Sequence, residues 1–196
     1  MSLVGETVNL QFLVGGRPVG ATNPLPIKGE VDAKLTGSRA GLTVLASQAR
    51  PDNIVAYEAG DVVGQDPAAN IEFTNVLSDA GGNFIVLGTR LRIDVGAIPP
   101  GMTGFRLHLY NAAPTAIIDG GVFDLPSGDR DKYLGYITIT TPVDLGNTLI
   151  AQDDGINFTG KLADESTSMY GVLQTLGAFT PTAQCAKTIT LNIVGV

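Results

Sequence analysis

The sequence predicts an all-β protein: a jelly-roll-like β-sandwich over residues 51–196, preceded by an extended N-terminal arm over residues 1–50. Three observations predict it. Apolar and polar residues alternate with a period of two in many short runs. Glycine (25 residues) and proline (11) are spread along the chain as turn signals. No segment offers three helical turns of apolar spacing with a cap at each end.

The arm comes first. Val8, Leu10, Phe12 and Val14 alternate with Asn9, Gln11 and Leu13, then Gly15-Gly16 turns the chain. From Arg17 to Lys28 the chain reads as extended. Pro24 and Pro26 lack backbone donors and push the residues before them into β geometry, which keeps this stretch out of a central strand. Val31, Ala33 and Leu35 alternate with Asp32 and Lys34. Such an arm typically adds a strand to a neighbour's sheet edge, and Pro18, Val19, Asn23, Pro24, Leu25 and Pro26 are its candidate interaction residues. The alternative is an N-terminal hairpin packed on its own domain.

Beyond residue 50 the alternation continues. Leu91, Ile93 and Val95 alternate with Arg90, Arg92 and Asp94; Phe105, Leu107 and Leu109 with Arg106, His108 and Tyr110; Ile189, Leu191 and Ile193 with Thr188, Thr190 and Asn192. Each run gives a strand one apolar face. Turn signals separate them at Pro51-Asp52-Asn53, Asp79-Ala80-Gly81-Gly82, Pro99-Pro100-Gly101, Ser127-Gly128-Asp129 and Asp153-Asp154-Gly155. Residues 164–176 can be read as a short helix, and residues 169–175 about equally well as a strand. Roughly eight such strands suit a jelly roll, with an immunoglobulin-like sandwich as the alternative.

Composition narrows the function. Charged residues are 16% of the chain, well below the roughly 25% of an ordinary domain, while hydrophobic residues are 44%. An apolar, charge-poor chain has either an unusually complete core or surface that neighbouring subunits cover. The net charge of −7 argues against nucleic acid as a partner, because no basic stripe exists to displace counterions. No basic-then-apolar leader opens the sequence. The longest uncharged run, residues 166–186, holds Gln174, Pro181, Gln184 and two glycines, so no membrane span is expected.

Motifs that could carry chemistry are weak. Residues 155–162 have phosphate-loop spacing, but Leu162 stands where a Ser or Thr must hold magnesium. Asn157-Phe158-Thr159 is a formal glycosylation sequon. His108 is the only histidine and Cys185 the only cysteine, so neither a zinc site nor an internal disulfide is expected. Cys185 reads as an inert thiol. No nucleophile motif accompanies His108; residues 37–41 misplace Ser38 for a nucleophile elbow. Asp129/Asp131 and Asp153/Asp154 read as solvated turns lacking full calcium-loop spacing. No carboxylate pair stands out for glycoside hydrolysis. No catalytic residue, cofactor or metal is expected.

Several segments resemble a family of tailed-phage virion proteins. Gly16-Arg17-Pro18-Val19 through Asn23-Pro24-Leu25-Pro26-Ile27 is similar to a segment near the start of many of them. Ala56-Tyr57-Glu58-Ala59-Gly60-Asp61-Val62-Val63-Gly64 is similar to the opening of their β domain. Arg106-Leu107-His108-Leu109-Tyr110 with Pro114, and Asp129 through Ile137, resemble the strands that follow. The resemblance runs from residue 16 to the mid-130s. It implies a capsid decoration, or cement, protein: made in the host cytoplasm, bound to the major capsid protein on the virion exterior, and working as a homo-oligomer, usually a trimer. A head-fibre or tail module that binds a receptor or glycan is the alternative it leaves open.

Overall fold

The computed structural model describes residues 41–196 and, in the arm, the backbone of Leu13–Val14 and Arg17–Pro18. The chain divides into two compact units, Met1–Ser38 and Arg39–Val196. In the first, β1 (Leu13–Val14) and β2 (Arg17–Pro18) pair antiparallel. The arm residues Val19, Asn23, Pro24, Leu25 and Pro26 lie outside the described residues, as does the side chain of Pro18.

The second unit is a two-layer antiparallel β-sandwich. Its strands are β3 (Leu42–Ala49), β4 (Ile71–Phe73), β5 (Asn83–Ile93), β6 (Phe105–Tyr110), β7 (Tyr133–Ile139), β8 (Val143–Asp144), β9 (Leu149–Lys161), β10 (Met169–Thr175) and β11 (Ala186–Gly195). One sheet runs β3-β11-β5-β9-β8 and the other β4-β10-β6-β7. Setting aside the two-residue β8, eight strands pair first with last, inward: β3 with β11, β4 with β10, β5 with β9, β6 with β7. A long hairpin folded over on itself gives that nested order, and that order defines a jelly roll.

The alternating runs supply the core. Leu91 and Ile93 of β5, Phe105, Leu107 and Leu109 of β6, and Ile189, Leu191 and Ile193 of β11 are all buried between the sheets. Their alternates Arg90, Arg92 and Asn192 face solvent. Outward rows join across strands, with Ser47 Oγ 2.8 Å from Thr188 Oγ1 and Thr43 Oγ1 donating to Asn192 Oδ1 at 3.1 Å.

The body begins before residue 50. Leu42–Ala49, read in sequence as part of the arm, is the edge strand of the larger sheet, paired with β11 from Leu42↔Ile193 to Ala49↔Ala186. Its inward residues Val44 and Gln48 are buried. Asp153-Asp154-Gly155, read as a turn, instead lies inside β9, where the register with β5 shifts and Gly155 takes φ +78°. A bulge uses the same left-handed glycine that a turn would. Residues 164–168 turn, and Met169–Thr175 is a strand.

Candidate interaction surface

The loops joining the two sheets gather at the ends of the roll. Loops 50–70, 94–104, 140–148 and 176–185 share one end, and direct bonds tie them together. Gln184 N donates to Pro51 O at 3.1 Å, Tyr57 N to Phe179 O at 2.9 Å and Leu176 N to Gly104 O at 3.0 Å. The Thr141 hydroxyl donates to Thr103 O. Gly101, at φ +89°, lies so close to the chain that a Cβ there would meet Ala178 O at 2.1 Å.

A buried polar cluster locks this end. Arg50, at the end of β3, donates from Nε to Tyr57 Oη at 2.6 Å. Its Nη1 donates to Asn53 O (2.6 Å) and Thr182 O (3.3 Å), and its Nη2 to Asn53 Oδ1 (2.9 Å) and Asp119 Oδ2 (3.1 Å). Tyr57 Oη donates in turn to Asp119 Oδ1 at 2.5 Å, and Gly64 N donates to the same oxygen at 2.9 Å. Burial, then the Asp119 carboxylate, push the Tyr57 phenol far above its ordinary range. The Arg50 and Asp119 side chains are 1% and 6% exposed, so water screens the pair little. The pair ties the loop after β3 to residues 117–123, the segment that crosses the outer face of the smaller sheet.

Lys187 on β11 adds a second buried cation, donating to Gly64 O at 2.7 Å. Burial pulls its pKa down to about 8, against the opposing pull of Asp119. Beside it lies a cavity of about 20 Å³ lined by Val63, Val95, Met102, Phe105, Phe179 and Cys185. That space holds about one water, not a substrate. Burial raises the Cys185 thiol, which leaves it protonated and weakly nucleophilic.

Outside this lock, the end exposes large apolar side chains, with Asp52, Glu58 and Asp66 the exposed charges of loop 50–70. Ile54 and Val55 are each 67% exposed, Val143 61% and Leu145 63%. Loops 94–104, 140–148 and 176–185 carry only Asp94 and Asp144 as charged residues. An exposed apolar surface on a locked scaffold suits protein contact, because little loop entropy is lost on docking.

His108 does sit on the outward side of β6, but it is buried beneath residues 117–125. Its ring stacks on Phe123 with centroids 3.7 Å apart. Gln174 Nε2 donates to Gly60 O, which fixes the amide so that Gln174 Oε1 accepts from His108 Nε2 at 3.1 Å. The Nδ1 atom then accepts from Tyr133 Oη at 3.0 Å. Burial lowers its pKa, so the ring is a neutral packing group with both nitrogens engaged.

The other motifs resolve as structure. Residues 155–161 are the second half of β9, and Lys161 pairs with Asp164 at 2.7 Å. Asp129 takes a bond from Lys132 Nζ (2.8 Å) and one from Thr115 N (2.8 Å), which together hold its carboxyl down to about 2. Asp153 accepts from Thr140 N and Asp154 from Gln152 Nε2. Among the described residues no three His, Cys, Asp or Glu side chains gather as a metal would need.

No protein-family model matches the chain, and no curated protein matches it. Among solved structures, a chain described as "Structure of infectious bursal disease virus Gt strain" aligns at 14% identity with a TM-score of 0.17. The alignment covers 96% of this chain and 50% of that one, so the chain spans half that protein's length.

Proposed function

We propose that this protein is a virion structural protein that decorates the outside of a phage head, binding the major capsid protein as one copy of a homo-oligomer, with a trimer the expected state. It acts by binding and not by catalysis. The observation that carries the reading is the apolar surface of this end, with Ile54 and Val55 exposed on the loop that Arg50 and Asp119 lock, and Val143 of β8 and the neighbouring Leu145 exposed at the same end. The jelly roll supports the reading as a scaffold without deciding function by itself. The segment resemblance, Gly16–Ile27 and Ala56–Gly64 above all, supplies the kind of partner. Repetition of a modest apolar contact over a lattice multiplies its strength.

Co-sedimentation with purified phage heads tests the reading. Burying a residue such as Val143 or Leu145 is worth about 1–2 kcal/mol. We therefore expect Val143→Asp and Leu145→Asp each to weaken head binding about tenfold or more, with no loss of folding by circular dichroism. Wild-type protein that fails to co-sediment with heads would sink the proposal.

A further inference from the structure

We propose that residues 122–125 form a strap that His108 latches onto the outer face of the smaller sheet, and that protonating this ring frees the strap while the sandwich stays folded. The latch is independent of the decoration role.

The strap is held at both ends without His108 and at its middle through it. Before it, the buried Asp119 carboxylate accepts from Arg50 Nη2, Tyr57 Oη and Gly64 N. Gly120 N then donates to Val62 O at 2.9 Å, and Val62 N donates to Gly121 O at 2.8 Å. Gly120 takes φ +74°, a left-handed conformation that turns the chain into the strap. After it, Asp129 N donates to Pro126 O, and the Asp129 carboxylate accepts from Thr115 N and Lys132 Nζ. Between these anchors the side chains alternate. Val122 and Asp124 are exposed, while Phe123 and Leu125 pack on a small cluster of Val62, Tyr110 and Val172.

Four residues close a circuit at the middle. The His108 ring stacks on Phe123, with centroids 3.7 Å apart and planes 14° from parallel. His108 Nε2 donates to Gln174 Oε1, and Gln174 Nε2 donates to Gly60 O at 3.1 Å. The same carbonyl accepts from Phe123 N at 3.0 Å. The imidazole therefore holds the strap twice, through the stack and through Gln174 and Gly60. Tyr133 Oη completes the site by donating to Nδ1.

This site suits a neutral ring. A second proton would go on Nδ1, and Tyr133 would lose its acceptor. The charged neighbour on the same strand is Arg106, a like charge. Across from the ring, β10 presents Gln174 and Val172, and β7 presents Tyr133 and Tyr136. The strap presents Phe123, with Asp124 exposed, and residues 57–63 present the Gly60 carbonyl, with the Asp61 carboxylate turned to Glu58 N at 2.7 Å. Burial pulls the His108 pKa down; Gln174 opposes that pull and Arg106 adds to it. With the strap lifted, the ring meets water and regains its ordinary value of about 6.5. The open form then binds a proton more readily than the closed one. Opening is therefore favoured as pH falls below about 6.5, by up to about tenfold per unit, until the closed form titrates.

His108 is the only histidine, so its ring NMR signals need no assignment. The test follows them in the full-length chain from about pH 7.5 to about pH 5. It also follows amide hydrogen exchange at Phe123 and at core positions of β6 and β11, each corrected for the unprotected rate at that pH. We expect Phe123 protection to fall at least tenfold while the core amides keep theirs. His108→Phe, which keeps a stacking ring but cannot titrate, should remove that dependence; if the variant fails to fold, the wild-type readouts decide alone. A ring that titrates while Phe123 stays protected charges in place, and the latch is overturned. Constant protection with a ring still neutral at pH 5 overturns it as well. Loss of protection at Phe123 and in the core together would mean that the strap does not open separately, which also overturns the proposal.

Discussion

At the scale of single residues, the informative side chains are charged ones placed where a jelly roll keeps its core. Arg50 and Asp119 share a complete set of partners, so their burial is tolerated; removing one would strand the other, which typically costs about 3–5 kcal/mol. Lys187 is different. It donates one bond, to Gly64 O, and although Asp119 favours its charge, burial outweighs that pull. Its folded pKa, about 8, lies below the ordinary lysine value. Between about 8 and the unfolded value of about 10.4, the unfolded chain therefore binds more protons than the folded one, and stability rises with pH. Below that window the full burden of a buried charge is present. Lys187→Met should therefore raise the melting temperature at pH 7 and abolish the gain wild type shows between pH 8 and 10. Thermal melts across that range measure both, and an unchanged slope in the variant would assign the pH effect elsewhere.

At the scale of elements, among the described residues strands were legible where alternation was clean. Phe105-Leu107-Leu109 and Ile189-Leu191-Ile193 each declare an apolar face within five residues, and both runs are buried as read. β3 hid because its inward positions are Val44, Ala46 and Gln48, while Leu42 is exposed at the strand's start and Leu45 faces out. Its period is set by pairing with β11, a partner far off in sequence (Leu42 against Ile193, Ala49 against Ala186), and not by its own composition. β9 hid because a bulge glycine after two aspartates looks like a turn. The lock residues 50, 57, 119 and 187 share no local pattern, since only the nested topology brings them together. The placement of β3 has a direct consequence. A truncation before Arg39 should leave the sandwich folded, whereas one that continues through Ala49 exposes the edge of β11 and removes the buried Val44 and Gln48. We expect the first variant to show a cooperative melt and dispersed NMR amide signals, and the second to lose both. A folded chain lacking residues 1–49 would return β3 to the arm.

At the scale of the whole molecule, nesting sets the order in which contacts can form. β6 and β7 close over residues 105–139, β5 and β9 over a longer span, and β3 and β11 over nearly the whole body, with Leu42 against Ile193. Loop-closure entropy opposes the outer pairs most, so folding should be slow for a domain of this size and should proceed from the innermost hairpin outward. Ile137 on β7 lies opposite Leu107 inside the first pair, while Ile189 on β11 lies between Ala46 and Leu91 in the last. Shortening either isoleucine to valine removes one buried methyl and costs about 1 kcal/mol, a factor of about five in the folding equilibrium. The kinetic signatures should differ. Ile137→Val should slow refolding with little change in unfolding, because its contacts already exist in the transition state; Ile189→Val should leave refolding near wild type and speed unfolding severalfold. Stopped-flow denaturant chevrons on the two variants separate these outcomes. Equal partition in both would mean that the sandwich condenses as one unit, with no inner hairpin leading.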